Sequence, residues 1–178
     1  MDIVYYIGIA ASSEEPVPSI LESNAREFID ELLEFKNNIR LVLGGYWGLM
    51  KIIADYAKNK GIEVIFILPE FPRSTPPRVK EFIPIHTELG YKTRSVILTS
   101  TSDVLVCLGG RIGSIIEIML AYGFSKPVVI LRGYNMDTDK VEEAFGEYID
   151  SRKLAKVYYA STGREAAKIV LNLLGLTT

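Results

Sequence analysis

The sequence predicts an α/β domain in three layers, with an open parallel sheet of about six strands between helices on both of its faces. Short apolar runs alternate along the chain with segments of helical periodicity, which is the pattern of repeated β-α-β units. Several of these runs are apolar throughout, as strands buried on both faces of a parallel sheet are. The 178 residues, 48% of them hydrophobic, suit a single domain over residues 1–178 with a substantial core.

The first unit is a strand at residues 3–10 followed by a helix from residue 19 to about residue 37. Gly8 and the small polar residues Ser12 and Ser13 mark the end of the strand. In the helix, apolar residues recur at steps of three and four, which predicts one buried stripe. These residues are Leu21, Ala25, Phe28, Leu32 and Phe35.

The second unit is a strand at residues 39–43, the glycine turn GGYWG, and a helix with an apolar face of Leu49, Ile53, Tyr56 and Ala57. Gly61 ends this helix, and a third strand follows at residues 63–68. Residues 71–90 hold four prolines and are expected to be a long irregular segment, because proline interrupts regular structure. Segments of this kind often cover a binding site.

The second half of the chain continues the alternation. We expect a helix at 93–102, a strand at 104–108, an apolar helix with Ser114 as its N-cap, a strand at 127–131, an acidic helix at 139–149, a strand at 157–160 and a helix at 164–174. A second glycine turn, GGRIG, lies between the fourth strand and its helix. Free backbone N–H groups and the positive end of a helix favour phosphate at such a turn.

The expected site lies where the strands end. Pattern alone does not fix the strand order, but the order 3-2-1-4-5-6 places the first and fourth strands side by side. Ser12 and Ser13 would then lie beside Gly109 and Gly113, and Gly44 would lie on the same edge. The full set of expected phosphate-binding residues is Ser12, Ser13, Gly44, Gly45, Gly109, Gly110, Arg111, Gly113 and Ser114.

Composition and motifs argue against several classes of protein. The 20 basic and 22 acidic residues are scattered, so no nucleic-acid partner is expected. The longest apolar runs are strand-length and no basic region opens the chain, so we expect a cytoplasmic protein without a membrane partner. Neither glycine turn has the GxGxxG spacing and no Walker GK[ST] occurs, so no nicotinamide or flavin cofactor is expected. His86 and Cys107 are single residues of their types, so no metal site is expected; His86 should be solvated or structural, and Cys107 should be packed.

These residues together resemble the LOG-type (LONELY GUY) Rossmann family, also called lysine-decarboxylase-like, and especially its molybdenum-cofactor carrier-like or SLOG branch. GGYWGLM resembles the family segment GGxxGxM, and ILPE with the later IPI resembles the exit of its third strand. GGRIGSIIE resembles its signature GGGxGTxxE or PGGxGTxxE, and Arg94 stands at the arginine of its RK or RN motif. The resemblance covers nearly the whole chain.

The resemblance implies a nucleotide-type ligand with its 5′-phosphate at Gly113 and Ser114, and hydrolysis of the bond between base and ribose 5-phosphate by Glu117 and Arg94. Glu117 follows Gly113 by about one helical turn, so its carboxylate would reach a ribose whose phosphate lies at the helix start. There it would stabilise the positive charge that develops on the sugar. The alternative is a non-catalytic binder or carrier of a phosphorylated nucleotide or pterin.

Three positions depart from the family pattern, and two others admit a plainer role. Arg111 replaces a glycine, and two roles stay open for it: blocking the loop, or gripping a phosphate with its guanidinium. Ser114 replaces threonine but keeps the hydroxyl, and Gly109 replaces the proline of one signature form, which favours the carrier-like branch. Glu117 could instead serve the helix dipole, and Arg94 could pair with a surface acid.

Aromatic and apolar residues give two further expectations. Trp47 should pack in the core, whereas Tyr134 follows the fifth strand and should lie on the ligand edge, where it could stack on a base. The helix after the second glycine turn is apolar nearly all round, and a helix on one sheet face needs only a stripe. The resemblance implies that this region joins subunits, so we expect a homo-oligomer, a dimer or larger. The residues concerned are Ile115, Ile116, Ile118, Met119 and Leu120.

Overall fold

The computed structural model describes residues 3–176. The strands are β1 Tyr5–Ala11, β2 Ile39–Leu43, β3 Val64–Leu68, β4 Phe82–His86, β5 Val104–Leu108, β6 Val128–Leu131 and β7 Val157–Ala160. The α-helices are α1 Ser19–Glu31, α2 Gly48–Asn59, α3 Tyr91–Thr101, α4 Ile112–Gly123, α5 Lys140–Phe145 and α6 Gly163–Leu173. Short 3-10 turns occupy Leu33–Phe35 and Asp137–Asp139.

All seven strands are parallel and form one sheet in the order β4-β3-β2-β1-β5-β6-β7. The six predicted strands have the expected order, with β1 between β2 and β5. This arrangement brings the carboxyl ends of β1, β2 and β5 together, because Ile9 pairs with both Leu43 and Val106. The loops that follow these three strands therefore meet at one edge, which is where open α/β sheets bind ligands.

Helices cover both faces of the sheet, as predicted. On one face α1, α2 and α6 pack against the strands with buried residues such as Phe28, Ile53 and Val170. On the other face α3, α4 and α5 contribute Leu98, Ile118 and Val141. The strands are buried by both layers, which explains why β5 is apolar at every position.

The structure has one strand, β4, that was not predicted. β4 lies inside the proline-rich segment that we expected to be irregular throughout, and it pairs with β3 alone. Its residues 83–86 are exposed, so it lacks the buried pattern of the other strands. Pro84 is tolerated because a strand at the sheet edge has one side without hydrogen-bond partners.

Several element boundaries also differ from the expectation. β1 begins at Tyr5, and α1 ends at Glu31 before a 3-10 turn, although one helix was expected to about residue 37. The acidic helix α5 ends at Phe145, because Gly146 takes the left-handed φ of 66° and stops it. Within residues 3–176, no helix combines the length and the apolar character needed to cross a membrane.

Candidate functional site

A cavity of about 640 Å³ lies at the carboxyl ends of β1, β2 and β5. The loop after β1 and the first turns of α2, α3 and α4 surround it. The residues that line it are Ala11, Ser12, Ser13, Glu14, Trp47, Met50, Arg73, Tyr91, Lys92, Arg94, Ser95, Arg111, Ile112, Gly113, Ser114, Ile116 and Glu117. The structure therefore brings together seven of the sequence-predicted site residues: Ser12, Ser13, Arg94, Arg111, Gly113, Ser114 and Glu117.

The start of α4 forms one wall of the cavity. The helix begins at Ile112 with Arg111 as its N-cap, so the expectation that Ser114 is the N-cap was wrong. Ser114 lies in the first turn with its side chain buried. No side chain within residues 3–176 caps the helix, and the first N–H groups of an α-helix have no acceptor within it. The amide end of α4 can therefore bind an anion in the cavity.

Gly109 and Gly110 shape the turn before α4 without lining the cavity. Gly109 has a φ of 82°, which favours glycine. A Cβ atom on Gly110 would lie 2.0 Å from the Ser114 hydroxyl oxygen. Both positions thus need glycine because of the fold of the turn, and a direct phosphate contact is not required to explain them.

Gly44 and Gly45, in the first glycine turn after β2, also lie outside the lining of the cavity. A Cβ atom on Gly44 would lie 1.7 Å from Nη1 of Arg94, and one on Gly45 would lie 2.2 Å from the ring of Trp47. These glycines make room for two side chains that do line the cavity. The amide end of α2 is already occupied, because the Gly48 N–H donates to the Glu15 carboxylate at 3.1 Å.

Arg94 and Glu117 form a buried ion pair on the cavity wall. Nη1 of Arg94 donates to Oε1 of Glu117 at 3.1 Å, and the Ser95 hydroxyl donates to the same oxygen at 2.8 Å. Only 6% of Arg94 and 7% of Glu117 are exposed, so neither is a surface charge. Burial raises the pKa of the Glu117 carboxyl and lowers the pKa of the Arg94 guanidinium, although their attraction opposes both shifts.

The ion pair is not saturated. Both hydrogen bonds go to Oε1 of Glu117, and no donor within residues 3–176 is bonded to Oε2. Nε of Arg94 is buried without a hydrogen-bond partner in the same part of the chain. Nε is enclosed by protein, whereas Oε2 of Glu117 and Nη2 of Arg94 are not, so a ligand in the cavity could bond to these two atoms and offset part of the cost of burying the pair.

Arg111 and Glu14 form a second ion pair at the cavity, and this one is exposed. The side chain of Arg111 is 68% exposed and that of Glu14 is 37% exposed. The pair joins the loop after β1 to the N-cap of α4. Arg111 therefore already has a counter-ion beside the amide end where a phosphate was expected.

The aromatic residues of the cavity were missed by the sequence analysis. Trp47 was expected only to pack, yet it lines the cavity and its ring centroid lies 5.9 Å from that of Tyr91, at 69°. Both residues could have been placed at the cavity from the sequence, since Trp47 lies in the glycine turn GGYWG and Tyr91 precedes Arg94 by one helical turn. Tyr134 lies elsewhere, and its hydroxyl donates to the Ser161 carbonyl.

The remaining candidate residues lie away from this chemistry. His86 is exposed at the end of β4, and Cys107 is buried in β5, where burial raises the pKa of its thiol to about 12. Such a thiol is a poor nucleophile at neutral pH. No group of three His, Cys, Asp or Glu residues within the described part of the chain could hold a metal ion.

A family model described as the SLOG cluster4 family matches residues 4–166. The chain belongs to this SLOG family. The resemblance drawn from the glycine turns and from Arg94 and Glu117 is thereby confirmed at the level of the family.

Solved structures share the fold of this SLOG protein over nearly its full length. The structure of TM1055 has a TM-score of 0.82 at 28% identity, and the match covers 95% of this chain and 99% of that one. The molybdenum cofactor carrier protein of Chlamydomonas reinhardtii has a TM-score of 0.76 at 27% identity, with coverage of 97% and 99%. An uncharacterized protein of Archaeoglobus fulgidus is 36% identical over 106 residues, which are 58% of this chain and 66% of that protein.

Proposed function

We propose that this SLOG protein binds a phosphorylated small molecule of the nucleotide or pterin type in the cavity at the ends of β1, β2 and β5. The observation that carries the proposal is the uncapped amide end of α4, which opens into the cavity beside the Arg94–Glu117 pair. A helix start of this kind favours a phosphate through its free N–H groups and its positive dipole end. Ser12, Ser13 and Ser114 supply hydroxyl groups around the same position.

The rest of the ligand would lie along the aromatic wall. Trp47 and Tyr91 present ring surfaces to the cavity, and flat heterocycles such as purines and pterins stack on such rings. A volume of about 640 Å³ is within the usual range for sites that enclose a whole small molecule. The name of the Chlamydomonas protein, a molybdenum cofactor carrier, supports a pterin among the candidate ligands.

The fluorescence of Trp47 provides a direct test, because the chain contains one tryptophan and it lines the cavity. The ligands to be tested are adenosine 5′-monophosphate, guanosine 5′-monophosphate and a phosphorylated pterin. We expect at least one of them to change the emission of Trp47 in a saturable way. The matching compound without phosphate should bind at least ~10-fold more weakly, since hydrogen bonds to charged groups contribute about 1.5–3 kcal/mol. Equal affinity with and without the phosphate would contradict the proposal.

A second candidate function is hydrolysis of the N-glycosidic bond of a nucleoside 5′-monophosphate. The observation that favours it is the buried Glu117 carboxylate, which has one oxygen free of protein donors and a raised pKa. Water would attack C1′ of the ribose as the bond to the base breaks. The base would leave with the bonding electrons and take up a proton from solvent. The attacking water would give a proton to Glu117, which would release it to solvent and so return to the carboxylate. Catalytic bases in proteins often have a pKa moved towards neutral by burial.

The hydrolysis candidate is tested by incubating the protein with nucleoside 5′-monophosphates and measuring free base by chromatography. If release occurs, Glu117→Gln should lower its rate at least ~100-fold while ligand binding changes little, because the negative charge is lost and the shape is kept. Ser100→Ala, on the exposed side of α3, is the control. No release by the wild type with any nucleotide that binds leaves the protein as a binder.

A further inference from the structure

Helix α3 provides a second uncapped amide end at the same cavity. It begins at Tyr91 after the N-cap Gly90, and no side chain caps it. Tyr91 and Lys92, in its first turn, line the cavity, and the space beside Gly90 is open. The amide end of α2 differs, since Glu15 already caps it. Two of the three helix starts around the cavity are therefore available to anions.

Positive charge is in excess at the α3 end. The cavity is lined by four cationic side chains, of Arg73, Lys92, Arg94 and Arg111, and by two carboxylates. Arg94 and Arg111 are paired with Glu117 and Glu14 respectively. No carboxylate within residues 3–176 lies in ion-pair distance of Arg73 or Lys92. Lys92 lies in the first turn of α3. Arg73 follows Phe71 by two residues, and the Phe71 carbonyl accepts a hydrogen bond from the Tyr91 hydroxyl, so both unpaired cations lie near the start of α3.

Arg94 gives an independent indication that a ligand is bound here. It lies in the first turns of α3, is 94% buried and lines the cavity, yet within residues 3–176 only Nη1 of its guanidinium nitrogens has a hydrogen-bond partner, the carboxylate of Glu117. Its Nε is enclosed by protein without a partner within the described chain. Its Nη2 is also without a partner there but is not enclosed, so it can donate to a ligand in the cavity, and buried guanidinium groups normally have such donors satisfied.

We infer that the ligand carries two anionic groups. The first lies at the amide end of α4 beside Arg111, and this placement rests on the proposed function. The second lies at the amide end of α3, between Arg73 and Lys92. The Arg94–Glu117 pair joins the two helices about one turn from their starts, so the two subsites flank it. The ligand class is a nucleotide or pterin with a second phosphate, sulfate or carboxylate group.

The inference is tested with sodium tungstate, a tetrahedral dianion whose tungsten atom is located by its anomalous scattering. Crystals of the wild type, of Arg73→Gln/Lys92→Gln and of Arg111→Gln are soaked under the same conditions. We expect two tungsten positions in the wild-type cavity, one beside residues 111–114 and one beside Arg73 and Lys92. The double variant should lose the second position and keep the first, and Arg111→Gln should change the occupancy of the first position only.

The outcomes separate this inference from the proposed function. A single tungsten position beside residues 111–114 overturns the second subsite and leaves the proposed phosphate site intact. No position beside residues 111–114 contradicts the proposed function itself, and the two-group ligand with it. A second position that persists in Arg73→Gln/Lys92→Gln is an adventitious ion only and overturns the inference. Loss of the second position in that variant, with the first unchanged, supports it.

Discussion

Arg111 shows how one residue changes a glycine turn. It takes a position that is glycine in the LOG-type signature. Its side chain lies at the start of α4 and forms an ion pair with Glu14, which lies on the loop after β1. An anion that binds at this helix end must compete with Glu14 for the guanidinium. Gripping and blocking are therefore two states of the same residue, and Glu14 governs the balance between them.

Glu14→Gln is predicted to strengthen binding of phosphate at α4 by about 2–5-fold, because exposed ion pairs contribute roughly 0.2–1 kcal/mol and the competing charge is removed. Titration of Trp47 fluorescence with the nucleotide identified above measures the effect. Arg111→Gly is the companion variant. Weaker binding there means that the arginine grips the phosphate, whereas stronger binding means that it obstructs. Unchanged affinity in Glu14→Gln would contradict the competition.

Glu117 should impose a pH dependence on stability. Burial raises the pKa of its carboxyl in the folded protein above the value of about 4.3 for glutamate in an unfolded chain. Between these two values the folded state binds more protons than the unfolded state, so the free energy of unfolding falls as the pH rises. The contribution of Glu117 is fully present below the lower value and is lost as the pH passes the higher one.

This dependence is measured by denaturant unfolding of the wild type and Glu117→Gln across the acidic range. The wild-type free energy of unfolding minus that of the variant should decrease with rising pH from about 4.3 upward, because glutamine does not titrate. It should become constant once the carboxylate is fully ionised. A difference that grows with pH would mean that Arg94 and Ser95 outweigh the burial of the charge.

At the scale of elements, the first turn of α4 combines a structural and a binding requirement. Gly113 is helical, and the space where a Cβ atom would lie is open. Gly113→Ala is therefore predicted to stabilise the fold by about 0.5 kcal/mol, because glycine is a poor helix former. The added methyl group would intrude on the anion site, so phosphate affinity should fall. Thermal unfolding and ligand titration measure the two effects.

Gly123→Ala is the matched control, since it also lies in α4 with open space beside it but at the opposite end of the helix. It should give a similar gain in stability and leave phosphate affinity unchanged. Equal affinity of Gly113→Ala and Gly123→Ala for phosphate would show that no anion approaches the start of α4.

The elements that could be predicted from the sequence are those whose burial leaves a periodic pattern. β5 is apolar at every position because both faces are covered, and the stripe of α1 is buried against the sheet. β4 pairs with β3 through its backbone and buries Phe82, but residues 83–86 are exposed, so it lacks the buried pattern of the other strands.

The candidate site shows the same division. Glu117 and Arg94 could be predicted because each lies in a local motif near a helix start. The need for glycine at position 44 could not be predicted in this way. Its missing side chain makes room for the guanidinium of Arg94, which lies far along the chain. Contacts of this kind are set by the strand order, and no local spacing encodes them.

At the scale of the whole molecule, α4 leaves an apolar strip uncovered. Ile112 is 68% exposed and Phe124 is 41% exposed, and Ile116 and Met119 are partly exposed between them. Monomeric proteins seldom leave such a strip in contact with water. The prediction of a dimer or larger homo-oligomer therefore stands, and light scattering at micromolar protein concentration measures it.

Met119→Glu is predicted to weaken the association by about 2–5 kcal/mol, because a charge buried in an interface without a partner is costly. Ile20→Glu is the control, since Ile20 is also exposed but lies on α1, on the opposite face of the sheet. A monomeric wild type, or equal dissociation of the two variants, would contradict an interface through α4.

Pro84 has a consequence beyond its effect on the prediction of β4. The N–H of Val64 donates to the Glu81 carbonyl and the N–H of Thr87 donates to the Leu68 carbonyl, so odd-numbered residues of this strand face β3. The nitrogen of Pro84 therefore points outward, at the middle of the open edge, and has no hydrogen to donate. An incoming strand from another molecule would lose its central hydrogen bond there. The residue that interrupts the strand pattern in the sequence thus protects the free edge of the sheet from fibril-like aggregation.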